Sequence, residues 1–205
     1  MFMVFKTFNI EVSILSIVVL FIILNRNLRT THKEVIVVPF TKVLVAAILC
    51  SAIELLWSLT LLDYLDFFPK QELLFFLTSI LFAASCLVAY RYISFTEYFI
   101  ESNYNHDFNL KCIAAIPLFV LALMILLNYP SRFLFTIDEN CKYQPSNYTV
   151  LIYLFENFYY IFSIFRISIL FFKISDKERK KQCVAVLIFN LILLFFFCFL
   201  CLFSV

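Results

Sequence analysis

The sequence predicts an all-α membrane protein, a polytopic transmembrane helix bundle of about six spans with its N-terminus outside. Of its 205 residues, 64% are hydrophobic and 15% are charged, whereas a soluble domain is nearer half apolar and a quarter charged. The apolar residues form repeated runs of about 20, the length that a helix needs to cross a bilayer. These runs do not alternate between apolar and polar residues, which argues against a transmembrane β-barrel.

The chain reads as a single transmembrane domain, residues 1–205, and its first three spans end in different ways. The first span, 8–24, is too long for the core of a signal peptide and lacks a small-residue cleavage site after it, so it is predicted to remain as a helix. The second span, 40–62, leads into acidic residues and a proline. The third span, 72–101, stays helical well past Arg91.

The last three spans, 110–127, 148–172 and 182–204, surround the longest polar stretch of the chain. Within the fourth span, Pro117 predicts a mild kink. The stretch from Asn128 to Tyr148 contains proline, aspartate and asparagine residues that form turns. We therefore expect a long polar loop between the fourth and fifth spans.

Lysine and arginine set the predicted orientation, because short loops rich in these residues stay on the cytoplasmic side. The loop after the first span is basic, with Arg26, Arg29 and Lys33, and the segment 173–181 after the fifth span carries five basic residues. The loop between the fourth and fifth spans has few and is predicted to lie outside. Six spans then return the C-terminus to the outside, so a cytoplasmic output domain would need a seventh helix.

No pattern in the sequence predicts catalysis or a bound metal or cofactor. The chain has no glycine, hence no phosphate-binding glycine loop, and it has no His-Glu-x-x-His sequence. His32 and His106 fall in predicted cytoplasmic loops, and only Cys141 lies in an outer polar loop, where one cysteine cannot form an intrachain disulfide. A net charge of +2 does not favour a nucleic-acid partner. We predict a protein that binds or senses something and is not an enzyme.

Carboxylates inside the second and fifth spans are the strongest candidates for a functional site, because ionisable residues in hydrocarbon are costly. Ser51, Glu54 and Ser58 share one helix face, which Trp57 borders. From the rise of a helix, Glu54 lies roughly 13 Å and Glu156 roughly 12 Å below the outer ends of their spans. The two carboxylates are therefore expected at similar depth.

These residues predict an outward-facing cavity that binds a small molecule between aromatic walls and a few converging polar groups. Carboxylates and aromatic faces would favour a cationic or hydroxylated ligand. A second interpretation is that a protonated glutamate joins neighbouring helices through hydrogen bonds, and a third is a path for protons or ions. The predicted ligand-binding residues are Glu11, Ser51, Glu54, Trp57, Ser58, Ser79, Tyr153, Glu156, Asn157 and Tyr160.

Two arginines lie near the predicted cytoplasmic ends of the third and fifth spans. Arg91 and Arg166 would ordinarily extend their charged groups to the membrane interface. The alternative is a contact of Arg91 with Glu97 or Arg166 that changes with signalling state.

From Ile116 to Asp138 the chain reads IPLFVLALMILLNYPSRFLFTID, and its earlier spans contain FNIEVSILSIVVLFIIL, TKVLVAAILCSAIELLW and AASCLVAYRYISFTEYF. These stretches resemble the first four spans of the multi-helix input regions found ahead of bacterial GGDEF domains. Where such regions often have Tyr-x-Arg-Gly, this chain has YQPS from Tyr143. It also shows six predicted spans where those regions have seven, and no GGDEF segment, so no cyclase activity is assigned to it.

The resemblance implies a sensor in the cytoplasmic membrane of a bacterium, whose seven-helix region passes an outside signal to a domain that makes cyclic-di-GMP. The expected partners are the lipid bilayer, a small molecule on the outer side and a second copy of the chain in a homodimer. Two other classes stay open. A small transporter or ion-coupled carrier would use Glu54 and Glu156, and a fragment of a eukaryotic seven-helix receptor would explain Arg91-Tyr92 at the inner end of the third span.

Overall fold

A computed structural model of the chain describes residues 2–29, 37–62, 69–101 and 109–203. Within these ranges lie two short strands, a 3₁₀ helix at Asn147–Thr149, and six α-helices. The strands are β1, Phe135–Ile137, and β2, Tyr143–Pro145. The helices are α1 Phe2–Arg29, α2 Val37–Leu61, α3 Lys70–Glu101, α4 Asn109–Ser131, α5 Val150–Lys173 and α6 Lys177–Phe203. The predicted all-α bundle is confirmed.

Five helices of the described chain are long and apolar enough to cross a membrane, namely α1 to α5. The chain is thus a multi-pass membrane protein, but the count is about five spans rather than the predicted six. The sixth predicted span corresponds to α6, which begins with the charged sequence KERKKQ, so that its apolar part starts only near Cys183. The predicted loop residues His32, Lys33 and His106, and the last predicted span residue at 204, lie outside the described residues.

The central helix of the bundle is α3, which packs against α2, α4, α5 and β1. Small side chains on α3 let its neighbours approach closely, since Cys86 and Ala89 have no exposed surface. In contrast, α1 packs on α2, and only 6% of the apolar stretch of α1 is buried inside the bundle. Its exposed apolar side chains suit a helix that faces lipid, because the bilayer is as apolar as they are.

The polar stretch between α4 and α5 contains a β-hairpin, which the sequence analysis did not predict. Strand β1 pairs antiparallel with β2, and Phe135 at the start of β1 is fully buried. Its ring centroid lies 4.9 Å from that of Phe75 and 5.6 Å from that of Phe82, both on α3. The Gln71 amide also donates a hydrogen bond of 2.7 Å to the Ile137 carbonyl. The hairpin therefore covers the start of α3, and we call this side of the bundle the hairpin end.

Side chains at the two ends of the hairpin satisfy its backbone. The buried Asn128 of α4 accepts a hydrogen bond of 2.7 Å from the Leu134 N–H. After β2, the Ser146 hydroxyl donates to the Phe133 carbonyl and the Thr149 hydroxyl donates to the Leu134 carbonyl. These bonds fix the hairpin to the end of α4 and the start of α5, as buried backbone groups require.

Among the residues that the structure describes, two adopt positive φ at positions where glycine is usual, and the sequence contains no glycine. Arg132, with φ of 54°, directly follows α4 and donates its N–H to the Asn128 carbonyl at 2.9 Å, which ends the helix. Cys141, with φ of 58°, follows the turn of the hairpin and donates its N–H to the Asp138 carbonyl at 2.9 Å. A Cβ in this region costs about 1–2 kcal/mol.

Tyr159 joins α5 to α4 next to a proline. Its buried hydroxyl donates a hydrogen bond of 2.8 Å to the Ala114 carbonyl, three residues before Pro117. Proline has no N–H and disturbs the helical hydrogen bonds of the preceding turn. The bond from Tyr159 thus joins α5 to α4 within the turn that Pro117 disturbs.

The Cys141→Gly variant is expected to have a free energy of unfolding about 1 kcal/mol higher than that of the Cys141→Ala variant, because glycine has no Cβ to crowd the left-handed backbone. The measurement is the midpoint of thermal unfolding in detergent micelles. Cys141→Ala is the matched control, since it removes the thiol and keeps the Cβ. Equal midpoints for the two variants would contradict the conformational argument.

Candidate functional site

The carboxylate of Glu156 lies at the centre of the bundle, where α2, α3 and α5 meet. Its side chain is 2% exposed and accepts a hydrogen bond from the Ser85 hydroxyl of α3. Cys86, the next residue of α3, is close enough to interact electrostatically with Glu156, and so is Cys50 of α2. The sequence predicted that Glu156 lies inside a span, but it did not predict the partner of Glu156, because nothing in the sequence places Ser85 beside it.

Glu54 occupies a different environment from Glu156, although Cys50 lies near both carboxylates. The Glu54 side chain is exposed at the surface of the bundle and lies near Ser13 of α1. Its described neighbours are therefore on α1 and α2, whereas those of Glu156 are on α2, α3 and α5. The two carboxylates are brought to the same region but face different helices.

One of the predicted site residues, Trp57, makes a contact that joins two helices. The Trp57 indole N–H donates a hydrogen bond of 3.0 Å to the Thr78 hydroxyl, which joins α2 to α3. Ser79 donates to the Phe75 carbonyl of its own helix at 2.9 Å. Ser58 is buried, and its hydroxyl has no hydrogen-bond partner among the described residues. Ser51 is half-buried, and Glu11 is exposed.

Two further predicted residues of α5, Tyr160 and Asn157, lie close to Glu156 in sequence. Tyr160 is 2% exposed, and its ring centroid lies 5.9 Å from that of Tyr92 on α3. Tyr160 also lies near Glu156. The side-chain amide oxygen of Asn157 is buried without a hydrogen-bond partner in the described part of the chain.

Nearer the hairpin end, Tyr153 of α5 lies beside Tyr143 of β2. Burial raises the pKa of the Tyr143 phenol, and the neighbouring Tyr153 raises that pKa further, so Tyr143 is a neutral hydroxyl at physiological pH. The Tyr143 ring also contacts Phe82 of α3, with 6.4 Å between centroids. The hairpin thus extends from the surface of the bundle down to Tyr153 of α5.

Below Glu156, two more polar contacts join α3 to α5. The Thr96 and Ser163 hydroxyls are 3.0 Å apart and buried. One turn further, Arg166 donates two hydrogen bonds of 2.9 Å to the two oxygens of Glu97, and the side chains are 13% and 7% exposed. Arg91 was a candidate for such a contact, but its guanidinium lies 5.9 Å from the centre of the ring of its neighbour Tyr90.

The predicted residues therefore divide into two groups. Glu156 and Tyr160 come together in the core with Ser85, Cys50 and Cys86, whereas Glu11 and Glu54 lie on the exposed surface. Ser79 instead lines a cavity of about 430 Å³ between α3 and α4. Among the described residues, no group of three histidine, cysteine, aspartate or glutamate side chains is arranged to hold a metal ion.

A scan of protein-family models, a search of curated proteins and a search of solved structures each find no match to this chain. The resemblance to input regions of GGDEF proteins thus stays a prediction.

Replacing Arg166 with methionine is expected to destabilise the protein by about 3–5 kcal/mol, because it leaves the Glu97 carboxylate buried without its charge partner. The double variant Glu97→Leu with Arg166→Met is expected to recover most of this loss, since no buried charge then remains. Unfolding free energies of the two single variants and the double variant, measured in micelles, give the coupling between the two residues.

The matched control is the exposed pair Lys181–Glu178, whose atoms are 2.7 Å apart and whose side chains are 65% and 75% exposed. Lys181→Met is expected to change stability by at most about 1 kcal/mol, because solvent screens this pair. A loss at Arg166 no greater than that at Lys181 would contradict the importance of the α3–α5 pair.

Proposed function

We propose that the chain is the receptor part of a bacterial signalling protein, which binds a small cationic or hydroxylated molecule from the outer side of the cytoplasmic membrane. The observation that carries the proposal is the environment of Glu156. This buried carboxylate has a hydroxyl partner, Ser85, and lies among Cys50, Cys86 and Tyr160, none of which carries a positive charge.

A cationic ligand supplies what this environment lacks. A buried carboxylate without a positive partner is costly, so a cation that reaches Glu156 gains a strong interaction. The faces of nearby tyrosines such as Tyr160 and Tyr92 would attract the same cation. Competition between the ligand and Ser85 for Glu156 would loosen a contact that holds α5 to α3.

The contacts between α3 and α5 offer a route for the signal. Arg166 follows Glu156 by ten residues, which places the Glu97–Arg166 pair about 15 Å further along the bundle. Both contacts belong to one interface, so a shift of α5 along α3 would disturb both. The ligand drives such a shift only through different affinities for the two arrangements of the helices.

The resemblance to input regions of GGDEF proteins supports a diguanylate-cyclase type of output domain in the cytoplasm, which these 205 residues do not contain. The basic segments after the first and fifth spans support an orientation in which the hairpin end faces outwards. A homodimer would bring two output domains together.

The single tryptophan of the chain gives a direct test, because Trp57 lies one helical turn from Glu54 and joins α2 to α3. Purified protein is titrated with a panel of primary amines, quaternary ammonium ions and polyols while Trp57 fluorescence is recorded. We expect at least one compound to give a saturable change. Glu156→Gln is expected to weaken its binding at least tenfold, since an amide cannot replace the charge.

Ser85→Ala keeps the carboxylate and removes its partner, so it is expected to bind the same compound more tightly. Glu139→Gln removes an exposed carboxylate of the hairpin turn and is expected to leave binding unchanged. If no compound gives a saturable change, or if Glu156→Gln and Glu54→Gln bind as the original chain does, the ligand-binding proposal fails.

A second candidate function is a small ion-coupled carrier, which the position of Cys50 near both carboxylates favours, since it brings Glu54 and Glu156 into the same region of the bundle. Flux of the same compound into proteoliposomes separates the two functions. Flux that Glu54→Gln abolishes would favour a carrier, whereas binding without flux would favour a receptor.

A further inference from the structure

A cavity of about 430 Å³ lies between α3 and α4 at the hairpin end, away from the Glu156 cluster. Its α3 wall extends from Glu72 to Ala83, and its α4 wall extends from Ile125 to Arg132. Phe76 on one wall is 60% exposed, and Leu126 on the other is 72% exposed. The cavity is therefore a groove that opens on the outer surface of the bundle, where lipid surrounds the helices.

The mouth of this groove carries one positive and one negative side chain. Glu72 begins the α3 wall and Arg132 ends the α4 wall, and both are exposed. The Arg132 guanidinium lies 3.8 Å from the centre of the Phe75 ring, which holds it in place. None of the described ion pairs includes either residue.

The rest of the groove is suited to a hydrocarbon chain. Below the mouth its walls are Phe76, Ile80 and Ala83 of α3 and Ile125 and Leu126 of α4. The one polar side chain at this depth, Ser79, is satisfied by its bond to the Phe75 carbonyl.

The length of the groove matches one leaflet of a membrane. Ala83 follows Glu72 by eleven residues, which corresponds to about 16 Å along the helix. Half of a hydrocarbon core is about 15 Å thick. With Glu72 and Arg132 at the headgroup level, the deep end of the groove lies near the middle of the bilayer.

We infer that this groove binds a phospholipid whose headgroup contains a primary amine, as in phosphatidylethanolamine. Arg132 binds the phosphate, because a guanidinium matches phosphate oxygens with two parallel hydrogen bonds. Glu72 accepts hydrogen bonds from the ammonium group. One acyl chain lies along the apolar walls. Phosphatidylglycerol would leave the Glu72 carboxylate without a cationic partner, and the quaternary ammonium of phosphatidylcholine has no N–H to donate to that carboxylate. These two differences explain the expected selectivity.

The test is native mass spectrometry of the delipidated full chain, titrated with phosphatidylethanolamine, phosphatidylglycerol or phosphatidylcholine of the same acyl composition. We expect phosphatidylethanolamine to bind at least tenfold more tightly than the other two. Glu72→Gln is expected to remove this preference, and Arg132→Gln is expected to weaken the binding of all three lipids. The matched controls Glu139→Gln and Lys142→Gln make the same charge changes in the exposed hairpin turn.

A third variant keeps the test independent of the charged residues. Ala83→Trp fills the deep end of the groove and leaves Glu72 and Arg132 unchanged. It is expected to weaken the binding of phosphatidylethanolamine at least tenfold. Thermal unfolding in micelles confirms that each variant is folded. Equal binding of the three lipids, or losses in the control variants equal to those at Glu72 and Arg132, would overturn the assignment. Because neither Trp57 nor Glu156 lines the groove, either outcome leaves the ligand-binding proposal to its own test.

Discussion

The arrangement of the bundle depends on the polar contacts between α3 and α5. In a bilayer, apolar side chains gain little by moving from lipid onto a neighbouring helix, so packing and hydrogen bonds must hold spans together. Three contacts do this at successive levels, and the two-bond pair of Glu97 and Arg166 is the strongest of them. By fixing how far α5 is displaced along α3, this pair also sets the level at which Glu156 meets Ser85.

A chain without glycine has to solve two structural problems with other residues. Close approach of α3 and α5 relies on Cys86, Ala89 and Ser163, which are small and have no exposed surface. The left-handed positions at the end of α4 and in the hairpin turn fall to Arg132 and Cys141. At Arg132 the unusual backbone has a use, because it directs a guanidinium over Phe75 at the mouth of the α3–α4 groove.

The helices could be predicted from the sequence because each depends on a long apolar run, and the position of Glu156 inside a span followed from its place in such a run. The partners of these residues could not be predicted. Ser85 and Glu156 are 71 residues apart, and their contact depends on which helices become neighbours. The hairpin strands contain only three residues each, too few for an alternating pattern to appear. Glu54 illustrates the same limit, since its depth resembles that of Glu156 but its side chain is exposed.

The separation of Glu97 and Arg166 by 69 residues has a consequence for biosynthesis. At translation rates of about 5–20 residues per second, Arg166 is synthesised roughly 3–14 s after Glu97. Throughout that interval α3 carries a carboxylate whose partner does not yet exist. Glu97 lies in the last two turns of α3, so its side chain can remain at the membrane interface in contact with water until Arg166 is made. The pair forms when α5 inserts beside α3. A nascent chain whose synthesis stops earlier carries an acidic residue without its charge partner.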